Sequence, residues 1–233
     1  MQSRHVLEIS VESVDAAMAA ERGGAHRIEF CSNAWEGGTT PSPELLRVVR
    51  ERVRLPIFSM NRPRGGNFVY SDAEFEAMQR EVETAKELWM DGIVLGLLDG
   101  DGEIDVERTK QLVERARPLP VTFHRAIDEC VDLHRSLEDV IKSGATRVLT
   151  SGGRRTAPEA LETIGELVRI AGDRLIVMPG SGIHAGNIRE VVRKTGAREF
   201  HAGLSSVITR PAENLAAFEE EVRKLAAALR DCD

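Results

Sequence analysis

The sequence is short of cysteine, of positive charge and of long apolar runs, and each shortage excludes something. Three cysteines occur, Cys31, Cys130 and Cys232, and no two form a CxxC pair. An odd count at wide spacing argues against a disulfide framework and for a reducing compartment, so a cytoplasmic location is expected. Lys and Arg number 31 against 38 Asp and Glu, a formal net charge of −7. That balance argues against nucleic acid as the main partner, because phosphate backbones want a basic face. It leaves room for a small anion held in a local basic pocket. No apolar run approaches the ~18 residues of a membrane span, and the opening MQSRHVLEISV has no apolar core of a signal peptide. No Pro/Gly/Ser linker, low-complexity tract or strong repeat interrupts the 233 residues, so one domain over 1–233 is expected.

What is present is a rhythm. Short β-rich runs over Val6–Val11, Arg27–Cys31, Pro56–Asn61, Gly92–Leu97, Val121–Arg125, Arg147–Thr150, Leu175–Met178 and Arg198–Ala202 alternate with amphipathic segments. The predicted helices are Val14–Arg22, Pro43–Arg52, Asp72–Met90, Val106–Arg115, Leu133–Ser143, Ala157–Ala171, Ala185–Lys194 and Pro211–Leu229. Gly23-Gly24, Gly144 and Gly196 stand where helices should stop. Alternation of this kind means parallel strands joined by crossover helices. Eight units in this length favour a closed (β/α)8 TIM barrel over an open sheet, and no GxGxxG follows the first strand.

Barrel strands place alternate residues inside. With Leu7 and Ile9 facing helices, Glu8 points inward; the same parity turns Glu29, Cys31, His124 and His201 inward. All fall late in their runs, toward the mouth where barrel active sites sit. Charge facing a barrel interior must be paired, coordinated or wet. The set therefore reads as acid/base machinery or as a hard-metal site of two Glu and two His. Asp128, after strand 5, is a further acid/base candidate. The alternative for each Glu is a plain ion pair with a neighbouring Arg or His.

Candidate anion binders lie in the same loops. Arg62 and Arg64 sit in MNRPRGG after strand 3, and Arg125 follows His124. Glycine turns with exposed N–H groups follow strands 6, 7 and 8, and loops after strands 7 and 8 often hold phosphate in this fold. Ser151, Gly152, Gly180 and Gly182 belong to those turns. Asn33, in the long polar loop after strand 2, is a candidate substrate contact. Cu(I) would want sulfur, and Cys31, Met60, Cys130 and Met178 all lie at or just after strand ends. Among these, Cys31 is the candidate metal ligand.

The strings RIEFCSN, EGGTTPS, MNRPRGGNFVYSD, PLPVTFHRAID, RVLTSGG, VMPGSGI and EFHAGLSS closely resemble the CutC family over Val6 to Ser206. The resemblance implies a TIM barrel, a cytoplasmic location and a place in copper homeostasis, with copper as the implied cofactor or cargo. It maps the family's mouth motifs onto Glu29, Cys31, Ser32, Asn33, Arg62 to Gly66, His124, Arg125, Asp128, Ser151, Gly152, Gly180, Gly182 and His201. Two cysteines that many relatives carry at the mouth are Gly153 and Ala202 here, and Asn61 replaces a usual apolar residue. Two functions follow as expectations: copper binding, or an enzyme acting on a small anionic metabolite. Symmetry statistics make a homodimer the default assembly.

Overall fold

The computed structural model describes residues 5–208 and 214–232. Eight strands alternate with eight α-helices: β1 Val6–Val11, α1 Val14–Gly23, β2 Arg27–Phe30, α2 Pro43–Arg52, β3 Ile57–Met60, α3 Asp72–Glu87, β4 Gly92–Leu95, α4 Val106–Ala116, β5 Val121–Phe123, α5 Leu133–Ser143, β6 Arg147–Thr150, α6 Leu161–Ala171, β7 Ile176–Pro179, α7 Ile188–Thr195, β8 Glu199–Ala202 and α8 Leu215–Arg230. The strands form one parallel sheet of order β7-β6-β5-β4-β3-β2-β1-β8. Its end strands β7 and β8 lie side by side and complete the ring. This is the expected (β/α)8 barrel.

Local chemistry sets the helix ends. Ser13, Ser42, Ser71, Asp105 and Asp132 each accept a backbone N–H at a helix start, and Ser71 with Glu74 forms a full capping box. Gly144 ends α5 in the left-handed region at φ 83°, where a side chain would be strained.

Several boundaries differ from the sequence expectation. The predicted helix over 157–171 is a 3-10 turn, Ala157–Ala160, followed by α6, because Ala160 leaves helical geometry at φ −136°. α3 stops at Glu87 rather than Met90; Trp89 takes φ 61° to turn the chain into β4. β5 ends at Phe123, because His124 caps a 3-10 turn over Arg125–Glu129 with its own side chain. α7 begins at Ile188, three residues late. The predicted start of the last helix at Pro211 lies outside the described residues.

The apolar core divides in two. A large cluster, including Leu7, Ile28, Ile93, Phe123, Phe200 and Phe218, fills the annulus between strands and helices. Inside the ring a small second cluster holds only Cys31, Phe58, Met60 and Val94. Apart from these and the buried Leu149 and Met178, the interior is polar, and that inversion positions the site. Two tryptophans stand in solvent. Trp35 lies on the loop after β2 at the mouth, and Trp89 precedes β4 at the opposite end. Among the described residues no helix is long and apolar enough to cross a membrane.

Candidate functional site

The interior is built in layers, from the amino ends of the strands upward. At the floor, Glu199 on β8 accepts from Arg27 Nη2 on β2 at 2.6 Å and from Arg147 Nε and Nη2 on β6 at 2.7 and 3.2 Å. Both guanidiniums stack on the Phe58 ring, 4.8 and 5.2 Å from its centroid. Sequence reasoning missed these three charged residues. The signal was available, since each lies two positions before an inward residue: Arg27 before Glu29, Arg147 before Leu149, Glu199 before His201.

One layer up, Arg27 Nε donates to Glu8 Oε2 at 2.5 Å, and His201 Nδ1 donates to Glu8 Oε1 at 2.8 Å. His201 Nε2 points toward Glu29 Oε2, 3.8 Å away. Ser10 on β1, also missed by the sequence reading, donates to that same Glu29 oxygen at 2.6 Å. Glu29 Oε1 is buried and has no hydrogen-bond partner. Three of the four inward titratable residues thus meet as a Glu8–His201–Glu29 row. The fourth, His124, is elsewhere on the wall.

The electrostatics follow from this wiring. Burial alone would raise Glu8, but Arg27 and the His201 hydrogen bond hold it at about 2. Burial, reinforced by Glu8, raises Glu29 despite the opposing pull of His201 and Ser10. For His201, burial favours the neutral ring, yet Glu29 and Glu8 together raise it. One side of the row is a fixed anion; the other keeps a proton within reach. His124 is the reverse: burial, then Arg62 and Arg125, lower it to about 3, so its imidazole is neutral.

Above the row opens a cavity of about 1170 Å³, lined among others by Glu29, Cys31, Arg62, His124, Arg125 and His201. Of the eight expected anion binders, Arg62, Arg125 and Gly182 line it, and the others serve elsewhere. Arg62 is buried with its guanidinium spent on three carbonyls, Glu36 and Gly38 from Nη1 and Gly66 from Nη2, and it braces the loops after β2 and β3. Arg64 does not line the cavity and pairs with Glu74 at 2.6 Å. Asp128 accepts from Thr150, from Ser151 and Gly153 N–H groups and from Arg125, so its carboxylate organises the loop after β6. Ser151 takes part in that same network. Arg125 stays two-fifths exposed beside Arg154 on the cavity rim. Asn33 is exposed, bonds Thr39 and does not line the cavity.

The glycines serve close packing. A Cβ on Gly180 would sit 2.4 Å from Leu149 Cδ1 and 3.2 Å from His201 Cβ. On Gly152 and Gly182 it would press on Ala160 and Thr156, at 2.7 and 2.8 Å. Of the three, only Gly182 lines the cavity.

Among the described residues, the group of possible metal ligands that comes together is Glu8, Glu29 and His201, with ligand atoms within 4.8 Å of one another. Glu8 and Glu29 lie against opposite ring nitrogens of His201, and both Glu8 oxygens are already bonded. A cation here would have to displace those bonds, so the set fits proton transfer better than ion binding. Cys31 is outside the group; burial and the Glu29 charge push its thiol up to about 12.

A protein-family model described as the CutC family matches residues 5–206. The chain belongs to the CutC family. Among CutC relatives, a family protein from Xylella fastidiosa is 51% identical over 202 residues, covering 87% of this chain and 76% of the relative. A mouse protein named copper homeostasis protein cutC homolog is 48% identical over 201 residues, 86% of this chain and 74% of that one. The crystal structure of CutC from Streptococcus agalactiae superposes with a TM-score of 0.80 at 32% identity, covering 85% of this chain and 98% of that one.

Proposed function

We propose that this chain is an enzyme: a general acid–base catalyst that moves a proton on a small, polar, anionic molecule bound in the barrel mouth. One observation carries this reading. Glu29, buried at the cavity floor, keeps Oε1 without a partner while Ser10 holds its other oxygen and His201 Nε2 stands 3.8 Å from that oxygen. A buried carboxylate oxygen left unpaired costs about 1–3 kcal/mol or more, a cost tolerated where a ligand meets the group. In this reading Glu29 takes the proton, and His201 relays or returns it across a gap that a substrate hydroxyl or a water bridges. Glu8, pinned by Arg27, keeps His201 oriented. Arg125 and Arg154 at the rim supply the charge for an anionic group. A reducing, cytoplasmic setting suits the free thiols of Cys31 and Cys130, and a homodimer is the expected assembly.

Copper handling, which the name of the mouse relative carries, is the second reading. The residues at the mouth fit Cu(I) poorly. The soft ligands near one another are the Cys31 thiol, held protonated, and the Met60 thioether. Glu29→Gln removes the carboxylate with little change in shape. Wild type and variant are incubated with a defined mixture of small organic acids and sugar phosphates, followed by mass spectrometry. Conversion by wild type that falls about 10²–10⁴-fold in Glu29→Gln is expected. A folded Glu29→Gln at full rate refutes the acid–base reading. So does tight, stoichiometric Cu(I) binding in a competition titration that vanishes in Cys31→Ser.

A further inference from the structure

His124 does not behave as the acid or base its position first suggests. Its Nδ1 accepts the Ala126 N–H at 3.2 Å, which assigns the ring proton to Nε2. That Nε2–H is buried and has no acceptor. The ring is fixed in place. Phe68 lies 4.8 Å from it and Phe123 6.1 Å, centroid to centroid. Gly96 makes room for it, since a Cβ there would stand 2.4 Å from Nδ1. Arg62 is close by, stacked on the same Phe68 at 4.8 Å from its centroid, with its own Nε unpartnered.

Glu29 belongs to β2, and His124 follows β5, three strands around the ring. Both line the same cavity. One therefore brings a buried, unfilled acceptor and the other a buried, unfilled donor to a cavity of about 1170 Å³. A carboxylate and a neutral imidazole donor in one cavity suit one reaction class: removal of a proton from carbon next to a carbonyl, with the donor on the carbonyl oxygen. A neutral ring is the better partner there, because it can hold the developing oxyanion without first losing its proton to solvent.

Resting on the acid–base reading of Glu29, we propose that the substrate is a small anionic carbonyl compound and that His124 Nε2–H is the catalytic donor to its carbonyl oxygen. Glu29 Oε1 takes the proton from the α-carbon. The C–H electron pair becomes the C=C bond, and the carbonyl π pair moves onto oxygen, where His124 stabilises it as the enolate and Arg62 adds positive charge nearby. Return of the proton to the same carbon gives exchange; where that carbon carries a hydroxyl, passage of the hydroxyl proton to the enolate oxygen and return of the Glu29 proton to the former carbonyl carbon gives the isomeric carbonyl compound. No further reactant is consumed.

The test is hydrogen–deuterium exchange in D2O, read by proton NMR. The probes are phosphorylated and carboxylated α-hydroxy ketones and 2-oxo acids, with matched alcohols lacking the carbonyl as controls. Wild type is expected to exchange α-protons of carbonyl members only. His124→Ala should lower that rate about 10²–10³-fold, the usual effect of losing one oxyanion donor. His124→Gln, which restores an N–H donor, should recover part of it. Independently of any variant, nitrogen NMR of the native protein at pH 7 should find His124 neutral with its proton on Nε2; an imidazolium or the other tautomer overturns the proposal. So does a wild type that exchanges none of the carbonyl probes. A His124→Ala protein at full rate while Glu29→Gln is inactive overturns the role of His124 and leaves the acid–base reading standing. Full rate in both variants ends both.

Discussion

Glu199→Ala isolates the ionic floor. It removes the acceptor for three hydrogen bonds from two arginines that are buried to all but 6 and 7%. Arg27 keeps Glu8 as a partner at 2.5 Å, but Arg147 is left with only a 3.4 Å contact to Thr122. The layer of two arginines and two glutamates changes from balanced to carrying one uncompensated positive charge. Breaking a buried pair on one side costs about 3–5 kcal/mol. Unfolding entropy of about 2.1 cal/mol/K per residue over 233 residues gives about 0.5 kcal/mol/K. The melting temperature should therefore fall by about 6–10 °C, read by circular dichroism at pH 7.5. Arg147→Met in the Glu199→Ala background should recover part of the loss, since removing both charges costs far less than orphaning one. A single mutant that melts within about 1 °C of wild type, or a double mutant whose loss is the sum of the singles, refutes the account of the floor as a mutually dependent network.

Glu8 makes stability acid-sensitive. Its folded pKa of about 2 lies below the ordinary 4.5, worth about 3 kcal/mol. That contribution is present above pH 4.5 and is lost as pH falls toward 2, so Glu8→Gln should flatten the acid limb of a denaturant-midpoint profile. His201 has the opposite sign, with a raised pKa that stabilises below its ordinary 6.5 and fades as pH climbs through the folded value. The Cys31 thiol, pushed up to about 12 from 9.0, should carry about 10³-fold less thiolate than an ordinary one. In a Cys130→Ser/Cys232→Ser background it should react with a disulfide reagent at pH 8 far more slowly when folded than in urea; equal rates would contradict the burial argument. A Cβ on Gly92 would lie 2.6 Å from the rigid Phe58 ring. Gly92→Ala should therefore cost about 1–3 kcal/mol by overpacking, measured by chemical denaturation.

Strand parity was the legible part of the site. Leu7 and Ile9 flank Glu8, and Ile28 and Phe30 flank Glu29, so two side chains of the row could be aimed from sequence alone. The same parity carried back two residues would have found Arg27, Arg147 and Glu199. Partner choice was not legible. Arg62 and Asp128 have the residue types of an anion clamp and a general base, yet Arg62 is spent on loop carbonyls and Asp128 on the side chains and N–H groups of the Thr150–Gly153 loop and on Arg125. Those bonds depend on loop conformation, which periodicity does not encode. His124 was aimed correctly inward, but its protonation follows from the Ala126 N–H and the arginines around it, and only coordinates supply those. Helix ends were legible where a glycine or a capping side chain marks them, as at Gly144 and Ser71. They were missed where the backbone breaks on its own, as at Ala160 and Trp89.

The two exposed indoles make the molecule its own reporter. Trp35 stands at the opening that any ligand must pass, and Trp89 stands at the far end of the barrel. With Trp89→Phe a single tryptophan remains, and its emission reads occupancy of the mouth in real time. Compounds could then be ranked by titration before anyone knows what becomes of them.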